Sequence, residues 1–232
     1  MTFPAPAEKV LQPWRDFPVE QTPRPVVLLD LPVHIGDEGF VDGDAKLSWM
    51  SAAIDTTVPL PDGIINLITG GRPRRAAPGT LTIADVERCD EEFWCDRGPR
   101  RLPAYRLDIS GLRQPCIIID PTLDCWWPVH NDPGRAHGAL DHATINDDDL
   151  TLNFPAFGGI LTLFHRAEFL EYPTCVVGRA ITSERPSCGR AVRAVGIRAK
   201  VTGQLNTPLG GRVLLREDGE PVRVIAEGND TI

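Results

Sequence analysis

Apolar and polar residues alternate with a period of two along most of this chain, the signature of β-strands with one face buried. The first such run is residues 26–35. Val27, Leu29, Leu31, Val33 and Ile35 fall on one side, with Val26, Leu28, Asp30, Pro32 and His34 on the other. Pro32 removes a ladder donor and predicts an edge or a bulge there. Residues 64–69 (IINLIT) read as a short strand ended by Gly70-Gly71. Residues 81–95 fit either a helix or a strand. The turn Asp96-Arg97-Gly98-Pro99 and the clean alternation of 102–109 favour a hairpin.

Further strands are predicted at 116–120, 150–154, 160–171, 176–182, 191–205, 213–216 and 222–226, the last two joined by a tight turn at Asp218-Gly219. The best helix candidate is residues 45–54, with Asp44 as N-cap and Leu47, Met50 and Ile54 at helical spacing. Roughly ten strands with little helix, and no alternation of strand with helix, predict a mainly β protein, an antiparallel sandwich or barrel. No internal repeat or linker composition interrupts residues 26–232, so they read as a single β-rich domain. Residues 1–25 hold Pro4, Pro6, Pro13, Pro18, Pro23 and Pro25 and read as an extended arm, with Trp14 and Phe17 to dock it.

A formal charge of −8 argues against a general nucleic-acid binder and against constitutive adhesion to anionic lipid. Mean hydropathy of −0.14 and the absence of an apolar run of about 20 residues predict a soluble chain. With no leader-like apolar segment in MTFPAPAEKVLQPW, a cytoplasmic location is expected. Acid collects at residues 85–96 and base at 179–200, where Arg179, Arg185, Arg190, Arg193, Arg198 and Lys200 stand against Glu184. These are solvated strand faces that pair across a sheet, or else a patch for an anion. Six cysteines without a C-x-x-C spacing read as buried reduced thiols.

Chemistry-bearing residues are densest at 125–142, CWWPVHNDPGRAHGALDH. Pro128, Pro133, Gly134 and Gly138 forbid regular structure there, and the connection exceeds the ~12–15 residues usual for a structureless loop. Trp126 and Trp127 predict anchoring. The leading expectation is a domain that binds a small apolar ligand or a protein partner through this loop, with Trp126, Trp127, His130 and Phe157 at the contact. A second is a metal-dependent enzyme in which His130, His137 and His142, helped by Asp141 or Asp132, hold a divalent metal. Its ligand spacing of six and then four intervening residues matches no helical or strand pair. A third is a metal-free acid–base enzyme working in a barrel cavity through His165 or His34 with Asp30. A fourth is an assembly protein whose arm embraces a second subunit in a homo-oligomer.

Three local patterns carry little. Gly70-Gly71-Arg72-Pro73-Arg74-Arg75 lacks the lysine–hydroxyl pair of a phosphate loop. Asp147-Asp148-Asp149 lacks the alternating ligands of a calcium loop. Cys125 stands near Asp120 and Asp124, which disfavour its thiolate.

Overall fold

The computed structural model describes residues 8–123, 126–127, 142–186 and 196–228. The chain divides into two compact units. Unit 1 comprises residues 1–29, 95–98 and 138–232; unit 2 comprises residues 30–94 and 99–137. The chain passes between them four times, and three of the crossings, at 29–30, 94–95 and 98–99, lie within the described residues.

Unit 1 begins with the arm. Helix α1 (Glu8–Leu11) and a 3-10 turn (Gln12–Trp14) lead to Phe17, and Val26–Val27 forms β1. Trp14 and Phe17 are 1% and 2% exposed and meet edge to face at 6.3 Å. Arg24 lies 4.8 Å from the centre of the Phe17 ring and reaches both oxygens of buried Asp96, at 2.6 and 3.2 Å. The described part of the arm, from residue 8, is helical over residues 8–14 rather than extended, and it is held by the burial of Trp14 and Phe17 and by a bidentate ion pair.

Unit 2 opens with β2 (Val33–His34), α2 (Gly43–Met50), β3 (Ile54–Thr56) and α3 (Ile64–Thr69). The long hairpin β4 (Leu81–Cys95) and β5 (Gly98–Ile109) follows, then β6 (Cys116–Ile119) and β7 (Trp126–Trp127). Five strands form one sheet in the order β2-β6-β5-β4-β3, with β3 parallel to β4 and β6 antiparallel to both its neighbours. Its core joins Leu81, Ile83, Leu107, Ile109, Cys116 and Ile118 of the sheet to Ala45 of α2 and Ile64 and Ile68 of α3.

The rest of unit 1 is β8 (His142–Ile145), β9 (Thr151–Gly159), β10 (Thr162–Glu171), β11 (Cys175–Glu184), β12 (Gly196–Gln204), β13 (Val213–Arg216) and β14 (Arg223–Ala226). One sheet runs β10-β11-β13 and the other β12-β9-β8-β14. They enclose a core of Leu152, Phe154, Ala167, Val176, Val201, Leu205, Leu209, Leu214 and Val224, among others. The approach is close enough to require glycine on both sides. A Cβ at Gly178 of β11 would come within 2.7 Å of the Phe154 ring, and one at Gly203 of β12 within 2.5 Å of the Ala167 carbonyl oxygen.

The mainly β expectation holds, as a sandwich; no sheet of the described residues closes into a barrel. The sheets are mixed rather than antiparallel, because β3–β4, β11–β13 and β8–β14 run parallel. Local corrections have local causes. Residues 26–35 are not one strand, since Val27, Leu28 and Leu29 are buried in succession and the Asp30 carboxylate accepts the Trp94 amide at 2.7 Å. The N-cap of α2 is Asp42, whose side chain accepts from Ala45 N at 2.7 Å, and the helix stops at Met50. Residues 64–69 are helical. Ile64 and Ile68 are buried four apart, Ile65 is exposed, and Gly63 and Gly70 flank the helix at positive φ. The Asp218-Gly219 turn bonds Arg216 N to Glu220 O at 2.8 Å, yet β13 and β14 continue into different sheets.

Candidate functional site

Unit 2 holds an apolar cleft of ≈ 170 Å³. The run from Leu31 through Pro32 and Val33 to Ile35 forms one wall, and Trp49 of α2 with Leu67 and Ile68 of α3 forms the other. Each element presents the side chain its geometry dictates. The α3 turn puts Leu67 and Ile68 on its inward side, and Trp49 is held by an edge-on contact with Phe40 at 6.0 Å. Gly70 and Arg72 complete the lining.

Arg72 is fixed by main chain. Its Nε donates to Thr69 O at 2.5 Å and its Nη1 to Met50 O at 3.3 Å, so it caps the carbonyl ends of α3 and α2 together. Arg75 N donates to Ser51 O at 2.8 Å and fastens the same loop. Arg74 instead pairs with Asp55 at 2.6 Å. No carboxylate of the described residues pairs with Arg72, which brings the one formal charge to an otherwise uncharged lining. The sequence pattern singles out the 70–75 loop, but as a poor phosphate loop. Its arginine in an apolar lining depends on α3, which the alternation misreads.

Of the residues expected at the 125–142 site, His130, His137, Asp141 and Asp132 lie outside the described residues, as does the side chain of Trp126. Trp127 is half-buried in unit 2. His142 belongs to β8 of unit 1, with Nε2 3.0 Å from Lys200 Nζ and Nδ1 3.1 Å from Arg223 Nη2. Both ring nitrogens face cationic donors, and a neutral imidazole accepts at only one of them. Among the described residues no three His, Cys, Asp or Glu side chains gather as metal ligands. Phe157, also in unit 1, is 46% exposed with Arg198 and Arg216 at 5.7 and 5.2 Å from its ring centre.

The acid–base candidates are separated. His34 lies 5.0 Å from the Phe93 ring while Asp30 serves the Trp94 amide. His165 is exposed where the β10–β11 register shifts, and its Nε2 meets Ser183 Oγ at 2.7 Å. Neither faces a barrel interior. Some of the clustered charges are paired across neighbouring strands. Arg106 of β5 holds Glu91 and Glu87 of β4 at 2.9 and 3.6 Å, and Arg179 holds Glu168 and Glu217 at 3.1 and 3.9 Å. Arg190 and Arg193 lie outside the described residues.

Cys116 and Cys175 are buried free thiols, and Cys95 is also buried. Burial pushes Cys116 up to about 12 and Cys175 to about 11, so neither is a thiolate near neutrality. Cys125 and Cys188 are outside the described residues.

Glu171, which no sequence pattern flags, is the most heavily bonded carboxylate described. It accepts from Asn206 N and Nδ2 at 2.6 and 2.9 Å, from Thr207 N and Oγ1 at 3.2 and 2.8 Å, and from Arg212 Nη1 at 3.1 Å. Burial alone would raise its pKa, but these donors outweigh burial and bring it down to about 2. Every partner belongs to the 206–212 segment, so Glu171 is a clasp for that loop.

No helix of the described residues is long and apolar enough to cross a membrane. No family model matches the chain, and neither a curated protein nor a solved structure matches it.

Proposed function

We propose that this protein is a small-ligand binder and that the unit 2 cleft is its ligand site. The observation that carries the reading is the lining, eight uncharged residues and one arginine around ≈ 170 Å³. An apolar lining with few polar groups is the usual make-up of a small-molecule site, although most drug-sized sites are larger, at about 300–1,000 Å³. An apolar cavity of about 150 Å³ accommodates one benzene. The occupant is accordingly of ring size. Apolar contact supplies the affinity, at about 25 cal/mol per Å² of surface removed from water.

Titration with benzyl alcohol, followed by methyl NMR, tests this. Saturable shifts confined to Val33, Ile35, Leu67 and Ile68 are expected. A titration with no saturable response, or one spread over the methyls of unit 1, overturns the reading.

A further inference from the structure

We infer that the ligand of this cleft is a small monocarboxylate, its apolar body between Trp49, Ile68 and Val33 and its carboxylate on Arg72. The inference rests on the cleft being a binding site and adds the charge of its occupant. Arg72 is the one cation of the lining. Its two hydrogen bonds use Nε and Nη1, both to main-chain carbonyls, which hold the guanidinium in place without neutralising its charge. A guanidinium has five N–H donors in a fixed plane, so donors remain for an acceptor in the cleft that Arg72 lines. A carboxylate makes charge-assisted bonds to them, roughly twice as strong as a neutral hydroxyl makes. The neighbouring arginine offers a contrast, because Arg74 already has Asp55. The helix ends that Arg72 caps carry partial negative charge and temper its pull on an anion, and the residue is exposed. A preference of several-fold, rather than of orders of magnitude, follows.

The experiment compares benzoate with benzyl alcohol, which share a ring and differ in charge, on the whole protein at neutral pH. Affinity is read from the Ile68 and Val33 methyl shifts. Benzoate is expected to bind about fivefold tighter. Arg72→Gln should bring benzoate to the level of benzyl alcohol measured on the same variant, and Arg74→Gln should preserve the preference. The inference falls if the alcohol binds wild type as well as benzoate does, or if Arg72→Gln leaves the preference intact. It falls also if Arg74→Gln removes the preference equally, since a general basic field would then be its source. The first comparison needs no variant and stands even if Arg72→Gln does not fold. Saturable binding of both ligands without preference sinks only the carboxylate, whereas no saturable response to either sinks the cleft with it.

Discussion

In unit 1 a sheet packs on a sheet, whereas in unit 2 a five-stranded sheet meets two helices of eight and six residues. At 1.5 Å per residue those helices are about 12 and about 9 Å long. The 15 residues of β4 run about 50 Å, and five strands at about 4.8 Å spacing are about 19 Å across. Two short helices cannot cover such a surface. The middle of β4, from Ala84 to Glu92, accordingly has no buried residue. In unit 1 a three-stranded sheet faces a four-stranded one, and they approach until glycine is required at Gly178 and Gly203. The lesson is that filling follows from the area of the covering layer. The facing sheets of unit 1 bury a core between them, and unit 2 has an apolar cleft beside its short helices.

The sharpest way to break this contrast is to truncate one core residue from each unit. Phe154 is 3% exposed, packs edge to face with Phe169 at 5.9 Å and lies against Gly178. Phe154→Ala should cost about 3–5 kcal/mol, the full transfer and cavity penalty of a site that cannot collapse. Ile68→Ala, beside the cleft, should cost about 2 kcal/mol, because its neighbours already border open space. Denaturant unfolding gives the magnitudes, and hydrogen exchange tells which strands loosen. Equal costs would show that the unit 2 core is as tightly filled as the sandwich.

Adding an atom asks the same question in reverse. A Cβ at Gly203 meets main chain, the Ala167 carbonyl, which cannot swing away as a side chain can. Gly203→Ala should destabilise by about 2–3 kcal/mol. A neutral result would mean that the two sheets of unit 1 slide apart at small cost.

Acid should act on unit 1 through Glu171. Its folded pKa is about 2, below the ordinary 4.5, so the carboxylate stabilises the fold at pH above 4.5. That contribution fades as the pH falls from 4.5 through about 2. The side chain is 14% exposed, and two and a half units at 1.36 kcal/mol each, discounted for partial screening, leave about 2 kcal/mol. Wild type should lose melting temperature steeply over this window, and Glu171→Gln should start lower and show a shallower slope. Parallel slopes would assign the acid sensitivity to other carboxylates.

Legibility in the sequence divides along the same line as the packing. Unit 1 was readable where strand faces alternate. In β9, for example, Leu152 and Phe154 are buried beside half-buried Thr151 and Asn153. By contrast β8 (His142–Ile145), buried at three successive residues, gave no alternation and was missed. Unit 2 misled where short elements decide. IINLIT has the β-branched content of a strand, and only its flanking glycines and the polar Asn66 between Ile64 and Ile68 speak for a helix. The cleft depends on that helix, so it was not visible as a site. What alternation cannot express is which sheets face each other. Parallel pairs such as Arg223 with His142 join residues 81 positions apart, and no local pattern encodes them.

The smallest effect tests whether the unit 2 helices are held locally or only by the sheet beneath them. Asp42 stands in extended conformation before α2, and its carboxylate takes the Ala45 amide, one of four donors the first turn leaves unsatisfied. Asp44 in the same turn adds a favourable charge near the positive end. The helix buries only Ala45 and Ser48, so its packing contribution is small and the cap is a large share of what keeps it formed. Asp42→Ala should cost about 1 kcal/mol. The loss should appear as faster amide exchange in α2 and weaker benzoate binding, since Trp49 and the Met50 carbonyl that anchors Arg72 both belong to that helix. Exchange in the unit 1 strands should stay unchanged. If α2 keeps its protection and benzoate its affinity, the sheet and the Arg72–Arg75 loop hold the helix without its cap.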